Sequence, residues 1–207
     1  MPHPAPLCCV RRNEVVPIPC SRYADALPDR RMTATAPTAR RRALVPALGR
    51  RTVADGEPYR VLLVCSSGGH LAQLLKLRPW WEQHERTWVC FDTPDALGAL
   101  EGERFVRGHH PTTRNVWNLI RNLLLALGVL RGERPDVIVS DGAGLAVPFF
   151  WLGRLFGART VYLEVYDRID SATMTGRLVG PVTDLFLVQW EQQLESYPHA
   201  TVAGPVY

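Results

Sequence analysis

Three short clusters hold the residue types that could do chemistry. The first is Ser66-Ser67-Gly68-Gly69-His70, directly after the apolar run Val61-Leu62-Leu63-Val64-Cys65. Paired glycines let a backbone turn sharply and a ligand come close. A turn that opens a helix also presents free N–H groups to an anion. His70 titrates near neutrality and can take a proton from a hydroxyl; the same side chain can bind a phosphate or cap the helix that follows. The second cluster is Asp141-Gly142-Ala143-Gly144, after Val137-Ile138-Val139-Ser140. Its glycines again allow close approach, and Asp141 serves either a ligand or, as an N-cap, the helix beginning near Leu145. The third is Glu164, closing the run Thr160-Val161-Tyr162-Leu163, with Arg168 four positions on. Its carboxylate faces a cleft or pairs with Arg168 or Arg177. None of the three is a G-x-G-x-x-G fingerprint, and no Gly-Lys-Ser/Thr follows the first, so neither a dinucleotide site nor a P-loop is indicated.

The elements that must position these clusters can be read from periodicity. Strands are expected at 60–65, 87–91, 104–106, 136–140, 160–165 and 185–189, and helices at 71–81 (interrupted at Pro79), 115–130, 145–156 and 171–178. Strands alternating with helices of this length predict an α/β domain, a Rossmann-like parallel sheet with helices on both faces. Ligands of such sheets bind outside the carboxyl ends of the strands. All three clusters fall at such ends.

Charge divides the chain. Residues 1–60 hold 11 arginines and 5 acidic residues, whereas the remainder holds 13 lysines and arginines against 15 acidic residues. The basic character therefore belongs to the leader, and nucleic-acid binding by the body is not expected. Residues 1–58, rich in Pro, Arg, Ala and Thr without sustained period, read as a disordered basic leader; a domain is expected over 59–207. The leader has no long apolar core of a signal peptide. Met32 offers an alternative start, and the basic tract that would remain could lie against anionic lipid heads or stay solvated. Of the five cysteines, Cys65 and Cys90 end apolar runs and read as reduced core thiols. There is no C-x-x-C pair, and the adjacent His109 and His110 point apart, so no metal is expected.

No stretch of 18 uninterrupted apolar residues occurs, so no conventional transmembrane helix is predicted. Two helices nonetheless suggest membrane contact. Segment 115–130 has Asn115, Asn118, Arg121 and Asn122 on one side and is apolar all round from Leu123 onward. Segment 145–156 carries Phe149, Phe150, Trp151 and Phe156 with a single Arg154. Aromatics near an arginine suit a bilayer interface. Leu124, Leu127, Phe149 and Trp151 are the expected contacts, although helix-on-sheet packing accounts for much of the same composition.

The order and spacing of Cys65-Ser66-Ser67-Gly68-Gly69-His70, the segment 135–144, Glu164, Met174-Thr175-Gly176-Arg177-Leu178 and the segment 184–190 resemble the asparagine-linked glycosylation protein fourteen family, and the ending Gln189-Trp190 resembles its bacterial exopolysaccharide branch. The pattern is also similar to the N-terminal half of the one-chain N-acetylglucosaminyltransferase that makes lipid II. Here, however, Leu163-Glu164 stands where that family has His-Glu, and the extra glycine run before its histidine is missing. The resemblance implies one half of a GT-B glycosyltransferase, the membrane-associated acceptor-side subunit of a two-chain enzyme. It implies a donor-binding subunit on a separate chain, a lipid-pyrophosphate-linked saccharide acceptor, a UDP-sugar donor, no cofactor, and a place at the cytoplasmic face of a bacterial plasma membrane. It assigns His70 and Glu164 to catalysis and Ser66, Ser67, Gly68, Gly69, Asp141, Gly142, Gly144 and Arg168 to the acceptor and its phosphates. The segment 200–207 reads as the linker that would enter a second domain. The alternative is a stand-alone Rossmann-type nucleotide-binding or regulatory module.

Overall fold

The computed structural model describes residues 9–11, 14–16, 51–54, 56–112 and 115–206 of the 207-residue chain. Most of the leader, including Met32 and the basic tract before Arg51, lies outside the described residues. β1 (Cys9–Arg11) and β2 (Glu14–Val16) form an antiparallel pair of their own.

The main sheet is built from β3 (Arg60–Val64), β4 (Glu85–Cys90), β5 (Phe105–Arg107), β6 (Val137–Ser140), β7 (Arg159–Leu163), β8 (Leu185–Val188) and β9 (Thr201–Val202). Their order is β5-β4-β3-β6-β7-β8-β9, and every pairing is parallel. The near-continuous apolar runs follow from this: a parallel strand is covered on both faces, so it needs no polar side. Alternation then sorts the side chains. Val61, Leu63 and Cys65 join Val137, Val139 and Leu187 on one face, under α1 (Gly69–Leu75) and α2 (Arg78–Trp81), with Ala96 of α3 (Pro94–Ala99). Leu62, Val64, Ile138 and Tyr162 point the other way, under α4 (Val116–Glu133), α5 (Ala146–Leu155) and the turn of α6 (Met174–Val179). The doubly covered, Rossmann-like sheet expected from the sequence is the observed fold.

Three departures from expectation change how the domain packs. The helix expected over 71–81 is two short helices, since the chain leaves α1 at Lys76 and restarts with Pro79 in the first turn of α2. Packing reaches back before residue 59: Val53 is in the core cluster with Tyr59, and Arg51 pairs with Asp136 at 3.1 Å. The segment expected as a linker contributes a seventh strand, with Leu187 paired to Thr201, and Val206 is buried.

α4 turns Asn118 and Asn122 inward, while Arg121 stays exposed. Asn115 caps it by accepting the Asn118 N–H at 3.0 Å. Asn122 both donates to the His109 carbonyl at 2.8 Å and accepts its N–H at 2.9 Å, while Asn118 donates to the Pro111 carbonyl. These amides fasten the loop after β5 to the helix. The apolar face, with Trp117 69% and Leu124 63% exposed, is left outward.

Candidate functional site

β3 and β6 are adjacent in the sheet but not consecutive in the chain, and the helices after them lie on opposite faces. This is the topological switch point, where the loops leaving the two strands part and open a crevice. The loop from β3 carries half-buried Ser66 and Ser67, then Gly68 at φ 77°, a backbone conformation that glycine adopts without cost. The Gly68 N–H is not free for an anion, because it donates to Asp95 Oδ2 at 3.2 Å. The Thr93 hydroxyl and this N–H hold the Asp95 carboxyl below its usual value. Gly69 and His70 open α1. No side chain caps that helix, so His70 is not its cap.

The loop from β6 brings Asp141 against His70. Nδ1 lies 3.3 Å from Asp141 Oδ2, an ion-pair contact whose alignment falls short of a hydrogen bond. The Asp141 side chain has no exposed surface, and neither of its oxygens has a hydrogen-bond partner. It does not cap α5 either, which begins after Leu145 without a side-chain cap. Burial, with a smaller contribution from nearby Glu164, raises the Asp141 carboxyl to about 6 against the lowering effect of the imidazole. Burial pulls the His70 ring down, but the close Asp141 carboxylate outweighs it and the ring ends above the ordinary histidine value.

The backbone makes room for this pair. Gly142 sits at φ 139°, and a Cβ there would lie 2.6 Å from His70 Cε1. Ser140 Oγ accepts the Gly142 N–H at 3.1 Å and steadies the turn. Ala143 follows at φ 65°, a left-handed conformation uncommon outside glycine and concentrated at functional sites. A Cβ on Gly144 would meet Thr112 Cβ at 3.2 Å, so the His109–Thr112 loop closes against this turn.

Glu164, at the end of β7, is also without exposed surface but is engaged. Its carboxylate accepts the Thr173 hydroxyl and the Val165 N–H, each at 3.0 Å. The arginine pairing considered from sequence is not what holds it. Thr173 in turn caps α6 by accepting the Gly176 N–H at 3.0 Å, and its own N–H donates to the Tyr197 hydroxyl at 2.9 Å. Burial raises the Glu164 carboxyl, and burial together with Glu164 pushes the Tyr197 phenol up to about 12. Gln189 donates to the Glu164 carbonyl, and Gln193 donates to the carbonyls of Val165 and Arg168. Arg168 is thus held by its backbone while its side chain is exposed. Sequence reading missed Thr173, Tyr197 and Gln193; only Thr173 left a local signal, as a threonine at the N-cap of the Met174–Val179 helix.

The expected membrane contacts separate. Leu124 and Trp151 are exposed and Leu127 is half-buried, but Phe149 is fully buried in the core and is no surface contact. It lies on the sheet-facing side of α5, packed with Phe150 and Leu145. Arg154 also turns inward and pairs with Asp184. Among the described residues no helix is long and apolar enough to cross a membrane.

The model of the family described as "Oligosaccharide biosynthesis protein Alg14 like" matches residues 102–206, half of the chain and including the second glycine turn and Glu164. The chain belongs to the Alg14-like family. Its similarity to "UDP-N-acetylglucosamine transferase subunit ALG14" of Yarrowia lipolytica is 30% identity, covering 70% of this chain and 80% of the relative. The human protein of the same name is 23% identical over 74% of this chain and 86% of its own length. Among solved structures, MurG of Acinetobacter baumannii superposes with a TM-score of 0.56 at 15% identity, covering 65% of this chain and 43% of MurG. The UDP-GlcNAc 2-epimerase of Methanocaldococcus jannaschii gives 0.53 at 13%, covering 69% and 45%. This Alg14-like chain thus spans less than half of either solved structure, and at these identities the likeness is one of fold.

Proposed function

We propose that the chain is the acceptor-binding subunit of a two-chain glycosyltransferase that moves a sugar from a UDP-sugar onto a lipid-pyrophosphate-linked saccharide in polysaccharide biosynthesis. The observation that carries this reading is the pairing of His70 with a buried, otherwise unpartnered carboxylate at the switch point, in a family whose relatives are named UDP-N-acetylglucosamine transferase subunits. A buried acid left without hydrogen bonds is a functional-site signal in a native fold. In this reading His70 meets the acceptor hydroxyl or its phosphates at the crevice, with Ser66, Ser67, Gly69 and the Gly142–Gly144 turn beside it. The word subunit in the relatives' names supports a donor-binding partner on another chain.

Membrane association belongs to the same proposal. The outward apolar face of α4 carries Val116, Trp117, Ile120 and Leu124 at helical spacing. The start of that helix lies at the end of the sheet where the crevice opens, since the chain enters it from the carboxyl end of β5. A lipid-linked acceptor held in the bilayer would then present its head group beside His70. The proposed location is the cytoplasmic face of the plasma membrane. The test is co-expression with a candidate donor-binding chain, co-purification, and transfer of radiolabelled sugar from UDP-N-acetylglucosamine to a lipid-pyrophosphate saccharide. Transfer that needs both chains and is lost in His70→Ala supports the reading; nucleotide binding by this chain alone, with no partner and no transfer, favours a stand-alone nucleotide-binding module.

A further inference from the structure

We infer that Asp141 is a positioning residue that acts through His70, holding Nδ1 of the ring toward itself and Nε2 toward the crevice, and not a ligand of the acceptor. The inference rests on the proposed function for its catalytic meaning, but its structural content stands by itself. A carboxylate with no exposed surface cannot touch an acceptor without the fold opening, and the imidazole is the one polar side chain at ion-pair distance from it among the described residues. Nδ1 is buried on that side, whereas the His70 side chain is 28% exposed, so the accessible edge of the ring is the Nε2 edge. Gly142 completes the arrangement, because any Cβ there would displace the ring from this position. A small rotation of either side chain closes the 3.3 Å contact into an Nδ1–H···O bond, which fixes the tautomer and leaves a lone pair on Nε2.

The chemistry follows. In transfer, the acceptor oxygen bonds to C1 of the sugar as the C1–O bond to UDP breaks and UDP departs with the electron pair. The hydroxyl proton passes to Nε2, and the resulting imidazolium is stabilised by Asp141, in the manner of a buried acid behind a catalytic histidine. Other ionisable groups face the pair from the neighbouring elements. Asp167, in the loop after β7, favours the imidazolium. Glu164 at the end of β7 disfavours ionisation of Asp141. The Cys65 and Cys90 thiols at the ends of β3 and β4 feel the Asp141 charge, and Asp95 of α3 lies near Cys90.

The test uses the full chain first. Nitrogen chemical shifts of the His70 ring across a pH titration should show the Nδ1–H tautomer when neutral. In Asp141→Asn the tautomer preference should be lost and the midpoint should fall by about one pH unit, the size of a close carboxylate's effect on a histidine. An Nε2–H tautomer in the wild-type protein, or a midpoint unmoved by Asp141→Asn, overturns the inference. The wild-type tautomer decides the matter even if the variant does not fold. In the two-chain complex, Asp141→Asn should lower kcat about tenfold or more with the acceptor KM within about twofold, and should add nothing in a His70→Ala background. A raised KM at unchanged kcat, or additive losses, makes Asp141 an acceptor ligand instead. A complex that transfers no sugar at all refutes the proposed function, while the ring titration still decides the pairing.

Discussion

Gly142→Ala tests the geometry of the site through stability, and its cost has two separable parts. At φ 139° a side chain is strained whatever surrounds it, at about 1–3 kcal/mol for a residue forced into a sparsely populated region. The new Cβ would also lie 2.6 Å from His70 Cε1 and 3.1 Å from Nδ1. Relieving that overlap means moving a ring packed against Asp141, at about 1–3 kcal/mol for overpacking. The single variant should therefore lose roughly 2–6 kcal/mol. In a His70→Ala background the collision disappears and only the backbone strain remains, so the cost should fall to about 1–3 kcal/mol. Urea unfolding of the four proteins of the cycle measures the difference, a coupling of about 1–3 kcal/mol between positions 70 and 142. If Gly142→Ala costs the same in both backgrounds to within about 0.5 kcal/mol, the ring does not rest against Gly142 and the reasoning fails.

Three further expectations follow from the same contacts. Thr173→Ala removes the cap of α6 and the hydroxyl that satisfies buried Glu164, and should destabilise by roughly 2–4 kcal/mol in urea melts, whereas Thr173→Ser should restore most of it. The Asp141 carboxyl is raised to about 6 in the folded chain, so the native state holds a proton that the unfolded state has released; this contribution is present below the ordinary aspartate range and is lost as pH rises toward 6. Asp141→Asn should accordingly gain stability relative to wild type across that window, and parallel pH–stability curves for the two proteins would falsify the assignment. Trp117→Asp and Leu124→Asp replace outward side chains and should abolish flotation with anionic liposomes while leaving thermal stability within about 0.5 kcal/mol of wild type; undiminished flotation of both variants counts against membrane contact through α4.

How much of this was legible in the sequence depends on the range over which each feature is set. The central strands were readable because burial on both faces of a parallel sheet demands an unbroken apolar run, which Val61-Leu62-Leu63-Val64 and Val137-Ile138-Val139 supply. β9 was not readable: two residues, Thr201 and Val202, carry no period, and only the docking of this segment beside β8 makes them a strand. The composition of α4 was legible but its orientation was not. Asparagines on one side do not by themselves say whether they meet water or a loop, and here Asn118 and Asn122 turn inward because backbone groups of His109 and Pro111 need partners away from water. Phe149 misled for the converse reason, since an aromatic run cannot announce which member faces the sheet.

The site divides in the same way. Each of its loops is local, and the glycines at 68, 69, 142 and 144 mark them. The pairing of His70 with Asp141 is not local: it exists because β3 and β6 lie side by side with Leu63 opposite Val139, which brings the two strand ends to the same level. Two loops leaving adjacent parallel strands at one level must meet, and the helices that follow them, on opposite faces, pull the remainder of each loop apart. The crevice and the pair at its floor are consequences of one register. A sequence in which either loop were moved by a single residue would keep both glycine motifs and lose the pair, so the chemistry assigned here belongs to the sheet as much as to the motifs.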